Sequence, residues 1–198
     1  DTDIKIAIIQ FQTGMIEDAE KKLKELVLKS PGNPKINYYL ASILASNNQI
    51  DQSLQYINNI RSTDDLFVES RFLAAYFLKI EKRYTDSQNK IKEVLKKDPQ
   101  NLNARKFLAS VFQEEGRFGP AIVELKKVIT IDGSDDNSNF LLGQLYDQID
   151  KRDEAIAALK RAIELNPNNS EALNYLGYLI IDGDKKPTKE DLKIAREY

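Results

Sequence analysis

Chemistry in this chain would have to come from carboxylates, amides, hydroxyls and lysines. Its 198 residues include no histidine and no cysteine. That removes His- and Cys-based triads, His-ligated zinc and thiolate nucleophiles. Acidic clusters are what remain. Asp132, Ser134 and Asp136 have the alternate spacing of a calcium-binding loop. Such a loop needs glycine at its sixth position and glutamate at its twelfth. Asn137 and Gly143 stand there instead. Asp and Ser also cap helices, so the segment reads as a turn. Asp182 and Asp184 flank a glycine and precede Lys185 and Lys186, the composition of a solvated loop. No catalytic residue, metal ligand or cofactor is expected.

Composition narrows the class further. Lys and Arg total 29 against 31 Asp and Glu, a net charge of -2. A nucleic-acid or anionic-membrane binder normally shows a basic excess, so neither is expected. With 41% hydrophobic and 30% charged residues, the chain has an ordinary globular balance. No run approaches the roughly 18 apolar residues of a membrane span, so no membrane insertion is expected. The first residues show no basic segment followed by an apolar core, so no leader peptide is expected there.

Elements must position whatever surface does the work, and one stretch is ambiguous. IKIAIIQFQTG, Ile4 to Gly14, could be a β-branched strand or a helix buried on more than one side. Internal repetition decides. Similar residues recur every 34 positions, in units starting near 1, 34, 68, 102, 136 and 170. Numbering each unit in columns, column 8 holds Ala7, Ala41, Ala75, Ala109, Gly143 and Gly177. Column 20 holds Ala19, Ser53, Ser87, Ala121 and Ala155, and column 24 holds Leu23, Ile57, Ile91, Leu125 and Leu159. Column 32 holds Pro31, Asp65, Pro99, Gly133 and Pro167. Columns 4 to 11 and 20 to 28 have helical spacing. Turn residues lie between them: Gly14, Asn47-Asn48, Gly116 and Asp150. Proline at column 32 ends the second helix. Each unit is thus a helical hairpin that buries its apolar face only by stacking. In this register IKIAIIQFQTG is a helix, with Ala7 in the small column, Ile6 in a core column and Gly14 at the turn.

These columns resemble the tetratricopeptide repeat (TPR) family. The fifth unit reads Leu142, Gly143, Tyr146, then Ala155, Ala162 and Pro167. The family's tryptophan column carries Asp3, Asn37, Arg71, Arg105, Asn139 and Leu173. The resemblance implies an all-α, right-handed superhelical solenoid of antiparallel helix hairpins. It would have five full repeats and a partial sixth in a single domain, 1–198. The sixth unit breaks phase at GDKKPT, its second helix restarting at Thr188 with Asp191 as a partial capping box and Leu192 and Ala195 in core columns. A helix ending at Tyr198 is short for stability alone, so the native protein is expected to continue.

The family implies a non-catalytic scaffold whose first helices line a concave groove. Its groove columns map here to Ile4, Ile8 and Phe11, then Tyr38 and Ser42, then Phe72, Tyr76 and Lys79. They continue through Lys106, Ser110 and Gln113, then Phe140 and Gln144, then Asn174 and Tyr178. An aromatic groove of this kind implies a peptide or protein partner. A subclass of the family clamps a terminal carboxylate. Here it would start at Lys106 and need partners where Ser110, Leu141, Glu171 and Tyr175 stand, so that ligand is rejected. The alternative role is structural, with end repeats mediating homo-oligomerisation or docking to the rest of the protein. The stretch ALNYLGY, Ala172 to Tyr178, is similar to terminal repeats of bacterial envelope TPR proteins, which leaves the location open and favours an envelope or periplasmic one over the cytoplasm.

Overall fold

A computed structural model describes residues 2–181. They form eleven helices: α1 (Thr2–Gln12), α2 (Ile16–Lys29), α3 (Pro34–Ser46), α4 (Ile50–Asn58), α5 (Phe67–Ile80), α6 (Tyr84–Lys97), α7 (Leu102–Glu114), α8 (Phe118–Ile131), α9 (Asp136–Asp147), α10 (Arg152–Leu165) and α11 (Ser170–Ile181). Among the described residues there is no strand. IKIAIIQFQTG is helical up to Gln12, so repeat register prevails over the β-propensity of its isoleucines. The sixth-unit helix expected from Thr188, with Asp191, Leu192, Ala195 and Tyr198, lies outside the described residues. The chain divides into two compact units, one ending at Pro99 and the other starting at Gln100.

One turn chemistry makes all five described hairpins. Column 15 has positive φ every time: Gly14 (83°), Asn48 (61°), Lys82 (59°), Gly116 (77°) and Asp150 (57°). The next residue donates its N–H five positions back, Met15 to Gln10, Gln49 to Leu44, Arg83 to Leu78, Arg117 to Phe112 and Lys151 to Tyr146. The column 15 N–H closes the shorter bond three positions back, as in Lys82 to Lys79 at 2.9 Å. This is the Schellman ending, and it satisfies carbonyls the first helix would otherwise leave open. Entry into the next hairpin uses the side chain at column 34. Asn33, Asn101, Asp135 and Asn169 each accept a hydrogen bond from a backbone N–H two or three residues on.

The small columns bring the two helices of a hairpin together. Ala7, Ala19, Leu23, Ala41, Ile57, Ala75, Ile91, Ala121, Ala155 and Leu159 are fully buried. Where column 20 is serine, its hydroxyl donates to the column 8 carbonyl opposite, Ser53 to Ala41 and Ser87 to Ala75, both at 2.7 Å. At Gly143 the approach leaves no room for a side chain. A Cβ there would lie 2.7 Å from Leu159 Cγ and 3.2 Å from the Ala155 carbonyl oxygen.

Within each compact unit, hairpin stacks on hairpin through columns 7 and 10. Leu40 and Ile43 join Leu23 and Val27 in one cluster. Ala74 and Phe77 join Ala41 and Ile57 in a second. Leu176 and Leu179 join Leu159 and Ala162 in a third. Unit one departs from expectation here. Ile6, expected in the core, is 40% exposed, and Ile9 is 56% exposed. The reason is positional: these columns are buried by the second helix of a preceding hairpin, and the described residues place none against α1.

The junction between α4 and α5 is irregular. Asn58 ends α4 at column 25, whereas Lys29, Lys97, Ile131 and Leu165 end their helices at column 30. Column 32 is Asp65 instead of proline, and column 34 is Phe67 instead of a capping side chain. No side-chain hydrogen bond caps α5. Arg71, from the family's tryptophan column, closes the gap. Its guanidinium donates to the carbonyls of Ile57 (2.9 Å) and Ile60 (3.0 Å) and to Glu93 (2.6 Å).

Candidate functional site

Columns 5, 9 and 12 lie one turn apart on a single face of each first helix. In the first unit, Ile4 and Ile8 line a cleft of about 240 Å³ together with Lys5, Asn33, Pro34 and Lys35. Both isoleucines are half-buried, so they offer an apolar floor with two lysines at its rim. Phe11 meets Tyr39 edge to face at 5.6 Å, and Tyr39 meets Tyr38 at 5.4 Å. Burial, with Tyr39 and Glu69 nearby, pushes the Tyr38 hydroxyl above the ordinary tyrosine range, opposed in part by Ser42. Ser42 itself is buried and donates to the Tyr38 carbonyl at 2.8 Å. Contrary to expectation, it is not a surface group. Phe72 and Lys79 are half-buried. Tyr76 is half exposed and leans edgewise on Phe77 at 5.3 Å.

In the second unit the same columns are more occupied. Lys106 pairs with Asp135, the carboxylate that caps α9. Ser110 donates to the Phe107 carbonyl at 2.8 Å. Gln113 and Gln144 are half-buried. Phe140 is 7% exposed, packed with Ala155, Leu159 and Leu176. It is a core ring rather than a presented one, packed between α10 and α11, where Tyr175 of α11 meets it edgewise at 6.3 Å. Asn174 is exposed, and Tyr178 is 58% exposed, with its ring tilted 6.4 Å from that of Tyr175.

Column 6 contributes rings that the groove columns leave out. Tyr39 and Tyr175 each link two groove rings, and the aromatic series Tyr39, Phe107 and Tyr175 in that column was visible in the sequence. Tyr175 is anchored by donating to Asp147 at 2.8 Å. Burial first, and then the bond to the Asp147 carboxylate, push its hydroxyl up to about 12.

The calcium-like segment is spent on turn structure. Asp132 accepts from the N–H and hydroxyl of Ser134 at 3.0 and 2.6 Å. Asp136 accepts from the Asn166 and Asn169 amides at 2.9 and 2.8 Å. These bonds hold both carboxyls below the usual range. Among the described residues, no group of three or more acidic side chains is placed to hold a metal ion. Among the same residues, no helix is long and apolar enough to cross a membrane.

Comparison with known proteins agrees with this architecture. Two tetratricopeptide repeat family models match, one over residues 136–169 and one over residues 158–191. No curated protein matches the chain in sequence. Among solved structures, the C-terminal part of a TPR repeat-containing protein from Cytophaga hutchinsonii superimposes with a TM-score of 0.78 at 17% identity, over 98% of this chain and 78% of that one. MamA from Desulfovibrio magneticus RS-1 gives 0.69 at 16% identity, over 85% of this chain and 95% of its own. YrrB, a TPR protein with an unusual peptide-binding site, gives 0.68 at 14% identity, over 87% and 89%. At these identities the likeness is one of fold. Residues 136–191 thus match tetratricopeptide-repeat models, and the described residues share the helix-hairpin fold of solved tetratricopeptide-repeat proteins.

Proposed function

We propose that the chain is a non-catalytic scaffold that binds a peptide or protein segment on the exposed face of its first helices. One observation carries this reading. Columns 5 and 9 keep apolar and aromatic side chains accessible, at Ile4, Ile8, Tyr76 and Tyr178, whereas the helix-pairing columns are buried. Rigid rings of this sort supply contact area at little entropic cost. The peptide-binding site of YrrB, on a similar fold, supports the same reading. The absence of His and Cys leaves no conventional nucleophile–base pair, in line with a binding role. Capture of partners from a peptide array, quantified by titration, tests it. Tyr76→Ala, Tyr178→Ala and Ile8→Glu should each weaken some captured peptide by about fivefold or more, the effect of losing a hot-spot side chain. If all three leave every affinity unchanged, the first-helix face is not the site.

A second reading rests on Ile6 and Ile9. Their column equivalents stack against the second helix of a preceding hairpin. The α1 face is therefore shaped for a helix of that type, and a second molecule that supplies one would make the repeat array an assembly module.

A further inference from the structure

The irregular junction between α4 and α5 borders an open pocket of about 650 Å³, well away in column register from the peptide-facing residues. A volume of this size is in the range of ligand sites. Ile60 and Phe67 form its apolar part, and Arg61, Arg71, Lys96 and Lys97 line the rest with a single acid, Glu93.

The charges are unequally spent. Arg71 is buried and committed to Glu93 and to the Ile57 and Ile60 carbonyls. Lys90 adds a second cation on Glu93 at 3.3 Å. Arg61 is paired with Asp64 at 3.3 Å, and Lys97 also lies within electrostatic reach of Asp64. The Lys97 ammonium stands 5.4 Å from the centre of the Phe67 ring, whose other close cation is Arg71 at 4.3 Å. Lys96 is exposed and makes no ion pair with the described residues. The lining itself thus holds four cations, Arg61, Arg71, Lys96 and Lys97, and one acid, Glu93, with Lys90 and Asp64 pairing to it from outside. An unneutralised positive excess around a concave, partly apolar site favours an anion.

The pocket coincides with the departure from the repeat. The other junctions between described hairpins have a longer second helix and a capping Asn or Asp. Only here among them does the helix stop at column 25, with an aromatic ring in the capping column. Arg71 meanwhile donates to the Ile57 carbonyl in the last turn of α4 and to the Ile60 carbonyl just past it, which sets a cation against a helix end that would otherwise repel anions.

We propose that this junction is a binding site for an oxyanion, a carboxylate or a phosphate, carried as a side group of a larger ligand. Lys96 and Lys97 make the direct contacts, with Arg61 as the adjacent donor and Arg71 as the fixed positive wall. This site is independent of the first-helix face.

The test is amide-resolved NMR on the whole 198-residue chain. Inorganic phosphate and acetate are titrated separately at constant ionic strength, with chloride as control. Saturable shifts centred on Ser62, Phe67, Lys96 and Lys97 are expected with at least one of the two anions. Which anion saturates tells whether a phosphorylated or a carboxylate group is the natural source. The double substitution Lys96→Glu and Lys97→Glu should weaken binding by roughly tenfold or more, the worth of a charge-assisted hydrogen bond. Lys92→Glu, on the same helix and outside the cavity lining, should not. Circular dichroism checks that the variants fold. Non-saturating shifts equal to those in chloride, or unchanged saturation in the double variant, would overturn the proposal.

Discussion

Lys82 occupies a backbone conformation that suits it poorly. Column 15 needs positive φ to close the Schellman turn, and glycine takes that conformation without a Cβ penalty at Gly14 and Gly116. Asn48 and Asp150 are the next most tolerant types. A lysine there carries strain of about 1–2 kcal/mol. Lys82→Gly is therefore expected to stabilise the protein by about 0.5–1 kcal/mol, after allowing for the greater freedom of glycine in the unfolded chain. Thermal melting followed by far-ultraviolet circular dichroism would show this as a rise of about 1–3 °C. A lower melting temperature would mean that the lysine side chain does more than fill a turn. Four of the five turns were legible from residue type alone. Lys82 has no turn signal of its own, and only the 34-residue register places it. Depth of burial was less legible. Ser42 and Phe140 stand in groove columns, yet the first bonds to its own helix and the second sinks beneath a neighbouring tyrosine. Which ring of an aromatic pair lies underneath depends on rotamers and on the next hairpin, neither of which a column pattern records.

Pairing of elements depends on how near two backbones can come. In the α9–α10 hairpin, Gly143 leaves room for Leu159 to lean across. Gly143→Ala would put a methyl group 2.7 Å from Leu159 Cγ and 3.2 Å from a backbone carbonyl that cannot turn aside. The same residue is normal at column 8 in the first four repeats, so sequence comparison within the chain would score the change as neutral. Packing says otherwise, with an expected loss of about 1–3 kcal/mol. Urea unfolding would measure it, and a neutral result would show that α10 can slide. The second irregular element, the short α4, was half legible. Missing proline at column 32 and missing Asn or Asp at column 34 announce a weak junction. That Arg71 would supply the donors for the Ile57 and Ile60 carbonyls follows from its reach across the stack, which no single repeat contains.

At the scale of the molecule, repetition made the fold readable, because each hairpin poses the same burial problem and solves it with the same columns. What repetition cannot convey is the behaviour of a face without a neighbour. Ile6 and Ile9 obey the column pattern and are nevertheless exposed. If the α1 face docks on another molecule, analytical ultracentrifugation will show size rising with concentration. Ile6→Glu with Ile9→Glu should abolish that rise, while leaving helix content unchanged. A wild-type chain that stays monomeric across the concentration range would remove the assembly reading.

Within each compact unit, a helix packs chiefly on the helices just before and after it in sequence, with α1–α3 and α3–α5 as the next-nearest pairs. Such neighbours find each other without the entropic cost of closing long loops, so each unit should fold rapidly and can nucleate at any hairpin. The reverse process begins where support is one-sided. Among the described residues helix α1 is flanked on one side only, and in this chain its amides should trade hydrogen for deuterium well before those of α3, whose residues Ile36, Leu40, Ala41 and Ile43 are shut off from water on both sides. A binding partner on the α1 surface would be registered first as a slowing of that exchange.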